Sequence, residues 1–374
     1  MSSPLEGVLV VSLEQAVAAP LASCRLADAG ARVIKVERPE GDFARGYDSA
    51  AIGQSSYFAW INRGKESIAL DLRDDADRAV LFRILERADV FIQNLAVGAA
   101  HRLGLGANEL LAMRPSLIVC DLSGYGETGP YAQAKAYDLL VQAESGLLSV
   151  SGPPGPLGRV GISIVDIGAG LNAALAITEA LYRTQRTGEG AHLQCSLFDS
   201  IAEWMTVPLL HHDYLGAAPG RVGLAHPSIA PYGAFETADG STILISIQSD
   251  REWVVLCTEV LGQPLLAEDP RFLTNHDRVS NRTATDHLVA QVFATLTKDE
   301  LQALLSASRI AFGNVNDVAA LSAHPHLRRV DVQVEQGVVA LPAPPVRADW
   351  ETIGSVPALD QHGLAIRHEF AAPR

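Results

Sequence analysis

Five short apolar runs recur through the first 125 residues: GVLVVSL, ARVIKVE, ESIALDL, DVFIQN and SLIVCDL. Between them lie PLASCRLADAG, DDADRAVLFRILERA and ANELLAMR, in which apolar residues fall at helical spacing with polar ones between. This alternation constrains the chain more than any other feature, because it predicts an α/β domain built on a doubly wound, Rossmann-like parallel sheet. Such sheets bind their ligands beyond the carboxyl ends of the strands. Here those ends read LEQAVAAP, VERPEGD, DLRDD, QNLAVG and DLSGYGETGP.

The obvious occupants of such a sheet are excluded by its turns. The turn after the first run reads EQAVAAP and lacks the glycine triplet of a dinucleotide site; GxxxxGK[ST] and GxSxG are also absent. The histidine pairs at 211 and 212 and at 324 and 326 have no metal-ligand context, so no metal is expected. A net charge of −14 argues against broad nucleic-acid binding, which needs a basic surface. Only four lysines occur, Lys35, Lys65, Lys135 and Lys298, and three fall in the first 135 residues, where an anionic ligand would be held locally. No apolar run approaches the roughly 18 residues of a bilayer span, and the N-terminus has no export-signal pattern, so no membrane and a cytoplasmic protein are expected. Cys24, Cys120, Cys195 and Cys257 are widely spaced in apolar contexts and read as buried thiols.

At 374 residues and 48% hydrophobic content the chain has room for two cores. The reading is a large α/β domain over 1–200, a linker over 201–225, a smaller α+β domain over 226–322, and a segment over 323–374 that returns to the large domain. The smaller domain opens with a hairpin, YGAFETADGSTILISI, turning at Asp239-Gly240. Helical patterns follow in REWVVLCTEVLG, TATDHLVAQVFATL and KDELQALLSAS. The tail from Gln333 is extended and proline-bearing.

Two acids sit where chemistry is plausible. Asp166 stands between an apolar run and a glycine cluster in LGRVGISIVDIGAG, ahead of the helical stretch LNAALAITEALYRTQR. Asp138 begins the helix of AKAYDLLVQAESG. Either is also explained as a helix N-cap accepting backbone N–H groups. Helix and loop between them allow both to face one cleft, without requiring it.

The pieces VVSLEQAVAAPLAS, GARVIKVERPEGD, WINRGKESIALDL, DVFIQNLAVGAAHRLGL, DLSGYGETGP, AYDLLVQAESG and VGISIVDIGAG, in this order over about 200 residues, resemble the class III CoA-transferases, the CaiB/BaiF family. Weaker likeness continues in HPSIAPYGAFETADG, DPRF and PHLRR. The resemblance implies an interlocked homodimer and an aspartate nucleophile, here Asp166, that passes CoA between an acyl-CoA and a carboxylic acid through an anhydride and an aspartyl thioester. It places Tyr137, Asp138 and Gln15 beside that nucleophile, and Gly168 and Gly170 near the developing oxyanion. For coenzyme A it implies Arg38 against adenine, Lys65, Arg102 and Lys135 at the phosphates, Asn94 hydrogen-bonded to the cofactor, and Tyr125 in the cleft.

Two departures bear on function. Where certain family members carry a glycine-rich lid this chain reads HPSIAPYG, and where the racemase branch has histidine before the acid it has Tyr137. A tyrosine, with an ordinary pKa near 10, is a poor second base for racemisation. A transferase is therefore favoured over a 2-methylacyl-CoA racemase or a noncatalytic acyl-CoA binding protein. The stretch DFARGYDSAAIGQSSYFAWINRGKES resembles the branch acting on short dicarboxylates such as succinate, mesaconate, itaconate and citramalate. A second carboxylate needs a cation, for which Arg45, Arg63 and Arg221 are the candidates.

Overall fold

In a computed structural model that describes residues 2–350 and 353–371, the chain divides into two compact units. The first comprises residues 1–146, 160–206 and 328–374; the second comprises 147–159 and 207–327.

The first unit is built on a six-stranded, all-parallel sheet of β1 (Leu9–Leu13), β2 (Arg32–Glu37), β3 (Lys65–Ala69), β4 (Val90–Gln93), β5 (Ile118–Ser123) and β6 (Ala191–Ser196). Its order, β3-β2-β1-β4-β5-β6, reverses direction between β1 and β4, the arrangement of a doubly wound sheet. Parallel strands covered on both faces read as continuous apolar runs, which is why the first five were visible in the sequence. The sixth was not, because β6 lies at the sheet's edge and its residues AHLQCS alternate between half-buried and exposed.

One face packs on the helices Ala18–Asp28 and Ile164–Thr187, joining Val10, Ile92, Ile118 and Cys120 to Ala22, Ala173 and Ile177. These two helices approach closely because position 170 is glycine: a Cβ there would fall 2.6 Å from the Ala18 carbonyl oxygen. Among the described residues the 24-residue helix Ile164–Thr187 has the length and apolar character to cross a membrane, although no run in the sequence had suggested one. That character has a simpler source, since half of its most apolar stretch is buried in this core. The opposite face packs on Asp75–Leu85, Ala107–Met113 and the helix Gly363–Glu369 from the tail. The tail covers the β3 edge: His362 Nδ1 accepts from Ser67 N–H at 3.1 Å and Asp360 Oδ1 from Ala69 N–H at 2.8 Å. An edge strand is thereby closed to further pairing. Upstream, the tail forms an antiparallel hairpin of Arg329–Val334 and Gly337–Pro342.

The second unit holds a three-stranded antiparallel sheet of β7 (Tyr232–Glu236), β8 (Thr242–Ser246) and β9 (Ala311–Asn314). The β7–β8 turn contains Gly240 at φ +74°, a conformation glycine adopts without strain. Trp253, Phe272, Phe293 and Leu301 fill its core. The stretch read as a linker over 201–225 contains an ordered helix, Thr206–Leu215, so connection and element coincide there.

Candidate active site

Asp166 is the third residue of the helix Ile164–Thr187, not its N-cap; that position belongs to Ser163, whose side chain makes no capping bond. The cap comes from Asp138. Its Oδ1 accepts from the backbone N–H of Val165 at 2.8 Å and of Asp166 at 3.3 Å. Ile164 N–H donates to the Ile162 carbonyl and Ile167 N–H to that of Ser163, so the first turn's N–H groups all have acceptors. Gln142 fixes Asp138 from the other side, Nε2 donating to Oδ2 at 2.6 Å, while Gln142 Oε1 accepts from Val160 N–H at 3.0 Å. Asp138 and Gln142 are buried, and Asp166 is half-buried above them.

This geometry sets two negative groups against each other. Burial, and then the Asp138 carboxylate, push the Asp166 carboxyl up to about 7. A helix N-terminus favours an anion, yet here its N–H groups are spent on Asp138. Gly168 and Gly170 lie inside the helix, where N–H groups bond one turn back. Their lack of a side chain instead admits Trp204, which a Cβ at 168 would meet at 3.0 Å, and the Ala18 backbone. The sequence expectation that they present N–H groups to an oxyanion is corrected accordingly.

Two tyrosines bear on this pair, Tyr47 sensing the charge of Asp166 and the hydroxyl of Tyr137. Tyr137, 61% exposed, occupies the N-cap position of Asp138–Glu144. Tyr47 was not singled out from sequence. Burial, then the charges of Asp42 and Asp166 and the Tyr137 hydroxyl, raise its pKa to about 12, so it remains a hydrogen-bond donor. Its ring meets Tyr57 edge-on at 5.5 Å and Phe43 at 5.7 Å. The signal that could have found it is the aromatic spacing in DFARGYDSAAIGQSSYF, which gives three rings to one cluster.

Gln15 and Arg38 line a pocket at the carboxyl ends of β1 and β2, together with Gly41, Asp42 and Leu95. Arg38 is exposed and gives one hydrogen bond, to the Gly41 carbonyl at 3.2 Å. Arg102 and Lys135 are exposed as well. Tyr125 stacks obliquely on Tyr131 and Phe198 at 5.2 and 5.7 Å.

Several residues expected to meet coenzyme A or a second carboxylate have protein partners in this structure. Lys65 is buried, and its three ammonium protons go to Glu14 Oε1 (2.7 Å), the Pro20 carbonyl (2.9 Å) and Asn62 Oδ1 (3.0 Å), leaving none for a phosphate. Asn94 turns to the protein: Oδ1 accepts from Gln15 N–H at 2.9 Å and Nδ2 donates to the Gln15 carbonyl at 2.8 Å. It thus clamps the loop in which Ala16 is held at φ +64°, a conformation costly for a residue with a Cβ. Of the three arginines proposed for a second carboxylate, Arg45 forks onto Glu37 (2.7 and 2.8 Å) with Phe58 beneath it at 3.8 Å. Arg63 forks onto Asp28 (2.5 and 3.0 Å), and Arg221 donates to the carbonyls of Gly155 and Pro156. Each has a structural assignment instead.

Comparison with known proteins fixes the class. The family model described as CoA-transferase family III matches residues 5–363, and the chain belongs to that family. An acetyl-CoA:oxalate CoA-transferase from Acetobacter aceti is 37% identical, the alignment covering 99% of this chain and 96% of that protein. A succinate–glutarate CoA-transferase from Agrobacterium fabrum is 34% identical over 90% and 87% of the two chains. The crystal structure of a CAIB/BAIF family protein from Brucella suis superposes with a TM-score of 0.84 at 35% identity, over 99% of this chain and all of that one.

Proposed function

We propose that Asp166 is the nucleophile of a CoA transfer between a short dicarboxylic acid and an acyl-CoA. The observation that carries this reading is the carboxyl of Asp166, half-buried and raised to about 7, with Asp138 locked beneath it as its helix cap. An acid poised near neutrality is ionised in sufficient fraction to attack, and is more nucleophilic than one of ordinary pKa.

The carboxylate oxygen of Asp166 adds to the thioester carbonyl, and collapse expels CoA thiolate and leaves an acyl-aspartyl anhydride. The thiolate then attacks the aspartyl carbonyl, forming an aspartyl-CoA thioester and releasing the first acid. The acceptor carboxylate attacks that thioester, expelling thiolate and forming a second anhydride. Thiolate attack on its acyl carbonyl yields the new acyl-CoA and restores Asp166. No proton is required at any of these steps, which suits a site whose flanking groups are carboxylate and tyrosine.

Arg38, Arg102 and Lys135 are proposed to bind coenzyme A, since each is exposed and, among the described residues, free of a carboxylate partner. The relatives named for oxalate and for succinate and glutarate support dicarboxylates as substrates. Donation from tyrosine hydroxyls near Asp166 replaces the arginine first expected at the second carboxylate. A homodimer is proposed, supported by the helix Thr206–Leu215, on which Tyr214 and Leu215 are 80% and 74% exposed along with Val207 and Leu209. Light scattering that returned a single chain would contradict it. The four free cysteines support a reducing, cytoplasmic setting. The function itself is tested by incubating the protein with acyl-CoA and an acid panel, and trapping the acylated residue with hydroxylamine. Modification at Asp166 is the expected result, and transfer without it would overturn the assignment.

A further inference from the structure

Three polar side chains on adjacent strands form a line of bonds from near the start of β6 to the carboxyl end of β4. His192 on β6 places Nε2 2.6 Å from Asp121 Oδ2 on β5; Asp121 Oδ1 accepts from Gln93 Nε2 on β4 at 2.8 Å; Gln93 Oε1 accepts from Leu95 N–H at 2.7 Å. Gln93 and Asp121 are register partners, and both are buried. The chain of bonds has a fixed polarity. A carboxylate only accepts, so Asp121 obliges Gln93 to turn its amide N–H₂ inward and its carbonyl toward Leu95; the reversed amide would face N–H against N–H. His192 supplies the donor that keeps the buried carboxylate satisfied.

The turn so held does work at the site. The residue between Gln93 and Leu95 is Asn94, whose amide grips the Gln15 backbone on both sides, and Leu95 lines the pocket with Gln15 and Arg38. We propose that His192, acting through Asp121 and Gln93, is a positioning residue for acyl-CoA turnover: from the sheet's edge it sets the β4 turn and with it the Gln15 loop. This rests on the reading of the Gln15–Arg38 rim as part of the CoA site. The relay is separate from Asp166 and Asp138, which are held through Gln142 on other elements.

The test pairs steady-state kinetics with amide hydrogen exchange on the full-length protein. His192→Leu is expected to raise KM for acyl-CoA about five- to ten-fold with kcat within about two-fold, the size of effect a lost bond to a charged group carries. Exchange over residues 94–98 should accelerate about ten-fold while β2 is unchanged. His192→Gln, which can still donate to Asp121, should restore both, and Gln93→Met, which cuts the relay at its other end, should reproduce the KM rise. An unchanged KM, a fall in kcat with exchange quickened across the whole sheet, or failure of the glutamine to rescue would each overturn the proposal. Were the wild-type protein to transfer no CoA, the proposed function would fall and the role of His192 in turnover with it. The exchange comparison needs no substrate and would still decide whether the relay holds the turn.

Discussion

The first unit buries two sets of acids and treats them in opposite ways. Glu14 lies within reach of two lysines, Lys65 at 2.7 Å and Lys35 at 3.5 Å, and also accepts from Ser23 at 2.7 Å; Asp42 takes Lys35 at 2.9 Å. Burial alone would raise the Glu14 carboxyl, but the two lysines outweigh it and hold it below the usual range. Asp166 has the reverse arrangement, a carboxylate for a neighbour and no cation within ion-pair range among the described residues. The first set spends its charges on tying the segments just after β1 and β2 to Lys35 within β2 and to Lys65 at the start of β3. In the second, Asp166 has only a like charge beside it, and its proposed role rests on that difference.

Removing the uncompensated acid should produce the largest effect of all. Asp166→Ala is expected to lower transfer by at least about 10⁴-fold, as loss of a covalent nucleophile does, with CoA binding retained by calorimetry. Full turnover in this variant would remove the contrast between the two sets.

The stability effects should have opposite signs. Glu14→Gln takes the paired carboxylate from buried Lys65, while Lys35 keeps Asp42, and is expected to cost about 3 to 5 kcal/mol, read from urea unfolding at pH 8. Asp166→Asn should instead stabilise. Because the folded pKa is raised, protonated Asp166 is the form the fold prefers. Its contribution is intact below the unfolded value near 4, and it is lost as pH rises to about 7. Above that pH the wild type carries a penalty of up to about 4 kcal/mol, which Asn removes. The expected difference is therefore full at pH 8.5 and absent at pH 4. A destabilised Asp166→Asn at pH 8.5 would show that the acid is compensated after all.

Asp138 tests how much of the raised pKa is electrostatic. The rising limb of kcat/KM should fall near pH 7, since only ionised Asp166 attacks. In Asp138→Asn the side-chain oxygen still caps Val165 while the charge is gone. The limb should move to lower pH, leaving the share due to burial. Burial is the larger cause, so the shift is expected to be partial.

These differences mark what was legible in the sequence. Strands β1 to β5 were, because burial on both faces writes itself as unbroken apolar runs. Asp166 and Asp138 were singled out through local pattern and family resemblance, although their coupling was not: the bond that makes Asp138 the cap spans 28 residues and leaves no periodicity. The protein partners of Lys65 and Asn94 were hidden for a similar reason. Lys65 meets Glu14 across 51 residues and Asn94 meets Gln15 across 79, and nothing in the neighbourhood of a lysine or asparagine says whether its donors are already taken. The helix Gly363–Glu369 was hidden by a short, mixed sequence whose buried contacts, Ile366 and Phe370, are made with the distant β-sheet face.

The smallest expected effect concerns substrate choice, and it separates arginines that hold structure from groups that meet the acid. Arg45 has both faces of its function occupied, forked on Glu37 and laid over the Phe58 ring, and burial-opposed contacts with Arg45 and Lys35 hold Glu37 at about 2. Arg63 is likewise committed to Asp28 and to the Trp60 carbonyl at 2.5 Å. Neither fork survives replacement by lysine, which offers a point charge rather than a planar pair of donors. Arg45→Lys and Arg63→Lys should therefore lower stability, yet change the ratio of kcat/KM for a short dicarboxylate over a monocarboxylate of equal length by less than about two-fold. Tyr47→Phe should change that ratio more while leaving stability nearly unaltered, because it removes a half-exposed hydroxyl that feels Asp166 directly. A selective ten-fold loss of dicarboxylate transfer in either arginine variant would return the second carboxylate to an arginine and take it away from the hydroxyls.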